Sequence, residues 1–142
     1  LIAPINVGIA ERALHLSIEF AKTRQQFGQP IANFQMVQSR LADMYVWKET
    51  MQTYCWSILA AVSDVDETQA GRGEIHAKTA ASVMYCADTC NKVLDNAVQI
   101  FGGNGYIWES EINRLFRSTK LLEIGAGTTE VRKIIISGEL LK

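Results

Sequence analysis

The sequence lacks the features that mark most membrane, disulfide-stapled and nucleic-acid-binding proteins. No run of about 18 apolar residues is present, so no segment has the length of a membrane-spanning helix. The 3 cysteines are an odd number without regular spacing, which argues against a secreted disulfide framework. The net charge is -1, so no excess of basic residues indicates a nucleic acid or an anionic membrane as a partner.

Histidine is also scarce, with His15 and His76 the 2 present. Cys86 and Cys90 are four residues apart and would share one face of a helix. A metal site needs further ligands, however, and neither histidine lies near these cysteines in the sequence. We therefore predict that the cysteines, Cys55 included, are small core residues, and we predict no metal site.

The length and composition of the chain are typical of a folded domain. The 142 residues contain 48% hydrophobic and 20% charged residues, which suits one domain, residues 1–142, with a core of its own. The chain opens directly on the apolar segment Leu1-Ile2-Ala3-Pro4, without Met and without a polar residue that could cap a helix. We therefore expect it to be part of a longer protein.

Apolar residues recur at spacings of three and four along three long segments, which predicts three long helices. The first should cover about residues 2–24, and the second should run from an N-cap at Asn33 to about Ser63. A polar connector is expected at residues 63–68. The third helix should then extend to about Phe101.

Two shorter helices are expected nearer the C-terminus, one at about residues 110–122 and one from an N-cap at Thr128 to about Leu141. No strand-like alternation extends beyond four residues. The pattern therefore predicts an all-α fold, an antiparallel bundle of the four-helix type.

The first predicted helix is apolar on more than one side. One stripe follows the spacing of three and four, and a second stripe widens it: Ile2, Ile5, Ile9, Ala13, Leu16 and Phe20, then Val7, Ala10, Leu14, Ile18 and Ala21. Such a helix has more apolar surface than one domain can cover, and we therefore expect self-association.

Two glycine-rich segments, Gly102-Gly103-Asn104-Gly105 and Gly125-Ala126-Gly127, interrupt the helical pattern. Glycines close helices because they adopt left-handed backbone conformations without strain. The second segment leads directly into a helix N-terminus, where exposed N–H groups form a ready anion site. From composition alone, the favoured interpretation is the plainer one, that the glycines of both segments only terminate helices.

Four motifs give these segments a more specific interpretation. They are Arg24-Gln25-Gln26-Phe27-Gly28, Phe34-Gln35, Gln99-Ile100-Phe101-Gly102-Gly103-Asn104-Gly105-Tyr106, and Glu123-Ile124-Gly125-Ala126-Gly127-Thr128-Thr129-Glu130-Val131-Arg132. In order and spacing they resemble the acyl-CoA dehydrogenase family over essentially the whole chain. A full family enzyme has an N-terminal helical domain, a central β domain and a C-terminal helical bundle, and this chain resembles the bundle.

The resemblance implies FAD as cofactor, bound between subunits. Arg24 would pair with the pyrophosphate of FAD, since a guanidinium offers a fork of donors to phosphate oxygens. Phe27 would pack on the cofactor, Gly28 would turn the chain away, and Gln35 would supply an amide contact. Arg24 and Gln35 also have plainer interpretations, a solvated charge after a helix and a surface residue.

The two glycine segments would meet the same cofactor. The residues from the end of the third helix, Gln99, Ile100, Phe101, Gly102 and Gly103, would pass close to its adenosine side, where glycines permit the backbone to approach. Thr128, Thr129 and Glu130 would meet FAD at the start of the last helix. The plainer interpretation of Thr128 is that it only caps that helix.

This chain departs from the family's usual catalytic base. Many members carry a glutamate directly before the Gly-Thr of the last motif, and this chain has Ala126, which cannot accept a proton. Ile-Gly-Ala-Gly-Thr also resembles the isovaleryl-CoA dehydrogenase-like subgroup, whose base is a glutamate on the first helix of this domain. That position would fall upstream of Leu1, so we expect no catalytic residue in this chain and regard Glu11 and Glu19 as structural. Ala126 and Gly127 would line the carbonyl end of the substrate.

The function that the resemblance implies is α,β-dehydrogenation of a short or branched-chain acyl-CoA, by a full-length enzyme of which the chain alone would be inactive. Electron-transfer flavoprotein would be the acceptor, and the assembly would be a homotetramer built as a dimer of dimers. The location would be the cytoplasm of a bacterium or the mitochondrial matrix of a eukaryote. The alternatives are an oxidase or monooxygenase relative of the same fold, or a catalytically inactive helical assembly module.

Overall fold

The computed structural model describes residues 2–64 and 73–142. Within these ranges the chain forms three long helices, α1 (Ala3–Thr23), α2 (Gln35–Ser63) and α3 (Gly73–Phe101). Shorter helices follow: α4 (Gly103–Tyr106), α5 (Glu111–Ile124) and α6 (Thr129–Leu140). A small antiparallel hairpin joins β1 (Gln25–Gln26) to β2 (Gln29–Pro30), and a 3-10 turn at Ile31–Asn33 leads into α2. The expected all-α bundle is confirmed.

Helix α3 is the centre of the bundle, since α1, α2, α5 and α6 all pack against it. Its inner face carries small and medium apolar side chains: Cys86, Ala87, Cys90, Val93, Leu94, Ala97 and Ile100 are all buried. Arg40 of α2 donates to Asn96 and Cys86 faces the Met51 carbonyl, so α2 runs antiparallel to α3. The Phe20–Phe101 and Asn6–Cys90 contacts show that α1 runs parallel to α3, because α2 returns the chain between them.

The two apolar stripes of α1 are buried to different extents. Ile5, a member of the first stripe, is 52% exposed, whereas Ala10 and Ala21 of the second stripe are fully buried. Small side chains let α1 approach the neighbouring helices closely, so the buried face follows the alanines rather than the largest apolar residues. Ile9, Leu16 and Phe20 of the first stripe flank the core half-buried.

The helix boundaries agree with the expected ones except at the start of α2. Phe34, in an extended conformation, is the N-cap residue, and Asn33 instead ends the 3-10 turn and donates to the Gln29 side chain at 3.3 Å. The expected N-cap at Asn33 is therefore wrong, because a 3-10 turn occupies the residues just before the helix. Ser63 ends α2 as expected, and the remainder of the expected connector from residue 65 onward lies outside the described residues.

The cysteines are core residues, as expected. Cys55, Cys86 and Cys90 are free and at most 1% exposed. Burial raises the pKa of each thiol, to about 12 for Cys86 and for Cys90, so these thiols remain protonated and unreactive near neutral pH. Over residues 2–64 and 73–142, no group of three potential ligands could hold a metal ion, and no helix has the length and hydropathy to cross a membrane.

Asn6 stands out among the buried polar side chains of this core. Asn6 on α1 is fully buried, and neither its amide oxygen nor its amide nitrogen has a hydrogen-bond partner among the described residues. An unpaired buried amide costs on the order of 1–3 kcal/mol of stability. Leucine has nearly the same branched shape without polar atoms.

We therefore expect Asn6→Leu to raise the free energy of unfolding of the intact protein by about 1 kcal/mol, measured by urea denaturation. Asn6→Asp is the matched control and should destabilise strongly, because it buries a carboxyl group without a partner. A lower urea midpoint for Asn6→Leu than for the unaltered protein would show that the amide is satisfied in the folded state.

Candidate functional site

The structure brings the first three motifs together at one end of the bundle. Phe20, near the end of α1, stacks on Phe101, the last residue of α3, with ring centroids 4.2 Å apart and an angle of 14° between the planes. The hairpin that carries Arg24 and Phe27 follows α1 directly, and its Phe27 ring meets Phe34 edge-on at 6.0 Å. This first cluster therefore consists of the hairpin, the start of α2 with Gln35, and the Gln99–Gly103 end of α3.

Phe27 has the most unusual conformation in this cluster. Its side chain is 91% exposed, and its φ of 51° lies in the left-handed region. The following Gly28 has φ 80°, so both central residues of the hairpin turn have positive φ, as a tight two-residue hairpin requires. Glycine or asparagine adopts this conformation readily, whereas a phenylalanine pays roughly 1–2 kcal/mol in backbone strain. Among the described residues the contact of its ring is the edge-on one with Phe34, which leaves most of the ring exposed.

The other predicted residues of the first cluster face outward, with two exceptions. Arg24, Gln35 and Gln99 are exposed, and no ion pair to Arg24 forms within the described part of the chain. Ile100, at 7% exposure, belongs to the core, so it can reach a ligand only through its backbone. Phe101 is half-buried against Phe20.

The glycines after α3 differ in whether the packing of the chain requires the absence of a side chain. A Cβ on Gly105 would lie 2.9 Å from the Phe101 Cβ and from the Val98 carbonyl oxygen, so internal packing alone requires Gly105. A Cβ on Gly103 would meet nothing within 4 Å. Gly102 has φ 57° and ends α3, as expected. Gly103 therefore presents accessible backbone, and no contact within the described residues requires glycine there.

The fourth motif forms a second cluster, the turn at residues 125–128 between α5 and α6. Ala126 and Gly127 have φ values of 52° and 101°. Thr128 is the N-cap residue of α6, and its hydroxyl accepts a hydrogen bond from the Val131 N–H at 3.4 Å. The expected N-cap is confirmed. Thr129, the first residue of α6, is half-buried.

Glu130 changes the interpretation of this helix N-terminus as an anion site. Hydrogen bonds from its own backbone N–H and from Thr128 lower the pKa of the Glu130 carboxyl, which is therefore ionised at neutral pH. A carboxylate already lies where the helix dipole favours negative charge. The N-terminus of α6 thus suits a polar, uncharged group better than a second anion.

Arg132 is the residue of this cluster that sequence reasoning missed. It is 4% exposed, and its guanidinium donates to the Gly125 carbonyl at 2.9 Å and to the Glu123 carbonyl at 3.3 Å. Burial lowers the pKa of Arg132, and the nearby Glu123 carboxylate opposes that shift. A signal existed in the sequence, since a cation in the first turn of a helix opposes the helix dipole and needs another reason to be there.

The side chain of Glu123 connects this turn to α3. Its carboxylate accepts from the Asn91 amide at 2.7 Å and from Lys120 at 2.8 Å, and Thr119 donates to the Asn91 oxygen at 2.6 Å. Asn91 and Phe101 are ten residues apart on α3, so the contact with the second cluster lies about 15 Å along the helix from the first. The predicted site residues thus form two separate clusters on one scaffold.

A surface cavity of about 700 Å³ lies between α2, α3 and α5. Charges of both signs and two aromatic rings line it: Trp47, Asp88, Asn91, Lys92, Asp95, Asn96, Phe116, Arg117, Lys120 and Glu123. None of the predicted site residues is among them, so this cavity is not the predicted site.

Fold and site together define an all-helical bundle domain with two outward-facing turns, each holding a non-glycine residue in a left-handed conformation. The family model described as acyl-CoA dehydrogenase, C-terminal domain, matches residues 1–141. The chain belongs to the acyl-CoA dehydrogenase family and corresponds to its C-terminal domain.

Similar proteins agree with this assignment. The mitochondrial isovaleryl-CoA dehydrogenase of Oryza sativa subsp. japonica is 38% identical over 137 residues, which cover 96% of this chain and 32% of that protein. The structure of butyryl-CoA dehydrogenase from Megasphaera elsdenii superposes with a TM-score of 0.86 at 33% identity, over 99% of this chain and 35% of that one. A structure described as the FAD complex of PigA superposes with a TM-score of 0.81 at 28% identity, over 97% and 34%. The chain thus spans about one third of the length of these relatives.

Relief of the strain at Phe27 should be measurable. We expect Phe27→Asn to raise the free energy of unfolding of the ligand-free protein by roughly 1 kcal/mol, because asparagine tolerates the left-handed region. Phe27→Ala is the matched control, since it also removes the exposed ring but keeps a strained residue. Urea denaturation should therefore rank the asparagine variant above the alanine variant, and equal midpoints for the two would contradict the assigned strain.

Proposed function

We propose that this chain is the cofactor-facing domain of an FAD-dependent acyl-CoA dehydrogenase that oxidises a short or branched-chain acyl-CoA. The observation that carries the proposal is Phe27, a strained aromatic residue, 91% exposed, at the same end of the bundle as the open Gly102–Gly103 backbone. An exposed ring in a costly conformation is explained by a flat partner outside the chain that packs on it.

The first cluster fits FAD in its chemistry. Arg24 offers a guanidinium without an ion-pair partner among the described residues, suited to a pyrophosphate. Phe27 offers an apolar face, Gln35 and Gln99 offer amides, and the Ile100–Gly103 segment offers backbone that the missing Cβ of Gly103 leaves open. FAD, when bound, supplies the two-electron acceptor for the hydride that leaves the β-carbon of the substrate.

The second cluster fits the reacting end of the substrate and the neighbouring part of the cofactor. Ala126 and Gly127 would line the carbonyl end of the acyl-CoA, where their small size leaves room for a base from another helix. Thr128, Thr129 and Glu130 would contact FAD. The ionised Glu130 supports contacts with neutral polar groups at this helix N-terminus rather than with phosphate.

The α-proton of the substrate must be taken by a base, while the β-hydrogen leaves with its electron pair. Ala126 cannot act as that base, and Glu19 is exposed and paired with Lys22 at 3.2 Å. Glu11 is exposed on α1. The proposal therefore assigns the base to a glutamate outside residues 1–142, and no catalytic residue to this chain.

The assembly and the electron acceptor complete the proposal. Exposed Ile5 on α1, with Tyr45, Val46 and Trp56 on α2, gives the bundle apolar surface that another subunit or domain would cover. This surface supports a homo-oligomer, and we propose a dimer of dimers in which the first cluster serves the cofactor of a neighbouring subunit. We propose electron-transfer flavoprotein as acceptor, and the bacterial cytoplasm or the mitochondrial matrix as location.

An anaerobic titration tests the activity. The intact flavoprotein is mixed with isovaleryl-CoA or butyryl-CoA, and we expect the absorption band of the oxidised flavin to bleach with one of them. Bleaching without oxygen, followed by reoxidation with electron-transfer flavoprotein, supports the dehydrogenase. A yellow protein that no acyl-CoA reduces would favour an oxidase or monooxygenase relative, and a colourless protein that takes up no FAD would favour the inactive assembly module.

A charge substitution tests the first cluster separately. Arg24→Gln should weaken FAD binding by about 10–100-fold, because a hydrogen bond to a charged group contributes about 1.5–3 kcal/mol. Lys22→Gln is the matched control, since it removes the same charge from the same helix end and should leave the affinity unchanged. The measurement is the dissociation constant of FAD for the apoprotein, and equal constants for the two variants would remove Arg24 from the site.

A further inference from the structure

Arg132 ties together the two helices that flank the turn at residues 125–128. It lies in the first turns of α6, yet its guanidinium reaches back to the end of α5, where it donates to the Gly125 and Glu123 carbonyls. The residue is 4% exposed and has no carboxylate within ion-pair distance in the described parts of the chain. The buried positive charge of the guanidinium is therefore stabilised mainly by hydrogen bonds to two backbone carbonyls.

Those carbonyls belong to a helix end that needs donors. The last carbonyl groups of an α-helix have no partners within the helix, and the helix dipole makes that end negative. Arg132 satisfies two such groups at once. A guanidinium is suited to this, because its planar fork presents several N–H donors in a fixed geometry that an ammonium does not reproduce.

The turn is held from its other side as well. The backbone N–H of Arg132 donates to the Thr128 carbonyl at 3.0 Å, and the Gly125 N–H donates to the Leu121 carbonyl at 2.7 Å. Between these fixed ends, Ala126 and Gly127 have positive φ. A non-glycine residue keeps such a conformation only where its surroundings over-determine it.

We propose that Arg132 is a positioning residue: its guanidinium fixes the backbone of the turn at residues 125–128 in the geometry that receives the acyl-CoA carbonyl and the flavin. This inference rests on the proposed function for the role of the turn, but not for the anchoring itself. Arg132 is buried beneath the turn, so it acts on the reactants through the backbone and touches none of them.

Arg132→Lys in the intact flavoprotein is the decisive variant. It keeps the positive charge but removes the planar guanidinium that donates to both carbonyls. We expect amide hydrogen exchange in a peptide covering residues 124–129 to speed up at least about tenfold, as expected for a local opening that becomes easier. We also expect the limiting rate of flavin reduction by the better acyl-CoA to fall by about 10–100-fold, since small misplacements of reacting groups have effects of that size. The substrate concentration at half-saturation should change less than about threefold.

Lys133→Met is the matched control, since Lys133 is the exposed neighbour on the same helix. It should leave exchange, rate and half-saturation unchanged. Arg132→Met is a second variant that removes the charge, and it should give exchange at least as fast as the lysine variant. If Arg132→Lys matches the unaltered protein in both exchange and rate, the inference is overturned.

A second substitution separates positioning from mere stability. In the Arg132→Lys background, Ala126→Gly should recover the thermal midpoint, because glycine takes positive φ without strain. It should not recover the rate of flavin reduction, because the turn remains unanchored. Recovery of both would show that Arg132 only offsets strain and would overturn the positioning role.

Different results would contradict the proposed dehydrogenase function and the anchoring role of Arg132. If the unaltered protein is not reduced by any acyl-CoA, the proposed function fails, and the exchange measurement still decides whether Arg132 anchors the turn. Unaltered exchange at residues 124–129 in Arg132→Lys would overturn the anchoring whatever the protein catalyses.

Discussion

The burial of α3 is the constraint on which the rest of the structure depends. Four helices share its surface, so its inner positions must be small enough for all of them to approach, and cysteine and alanine meet that need at Cys86, Cys90 and Ala97. Because α3 is held along its length, its C-terminal end and its middle have fixed positions relative to each other. The two clusters are attached at these two points, through Phe101 and through Asn91.

The two attachments are made by different physical means. The first cluster is joined to α3 by the stacked rings of Phe20 and Phe101. The buried apolar area stabilises this contact, and the stacking geometry fixes how the two rings are oriented. The second cluster is joined by hydrogen bonds from α3 and α5 to the Glu123 carboxylate and from Arg132 to two carbonyls. The stacked rings join the end of α1 to the end of α3 without using polar groups, whereas the polar network fixes backbone atoms directly.

The sequence was sufficient for the helices and for the four motifs, because periodicity and glycine breaks are local signals. It misassigned the N-cap of α2, since a 3-10 turn before Phe34 leaves no periodic trace. It showed both apolar stripes of α1 but not that Ile5 is exposed while Ala10 and Ala21 are fully buried, because the burial of an alanine depends on how closely a neighbouring helix approaches. Arg132 is part of the fourth motif, but no role was predicted for it from the sequence. Its two acceptors, the Glu123 and Gly125 carbonyls, lie at the end of the preceding helix, and only the three-dimensional structure brings them to its guanidinium.

Backbone strain gives an independent argument for the site. Within residues 2–64 and 73–142, the non-glycine residues with positive φ are Phe27 and Ala126. One falls in each of the two turns that the motifs had singled out from sequence alone. Each such residue costs on the order of 1–2 kcal/mol, which is a noticeable part of a domain's net stability. Glycine or asparagine would form either turn with less strain, so a phenylalanine and an alanine at these positions support the proposal that the two turns serve a site.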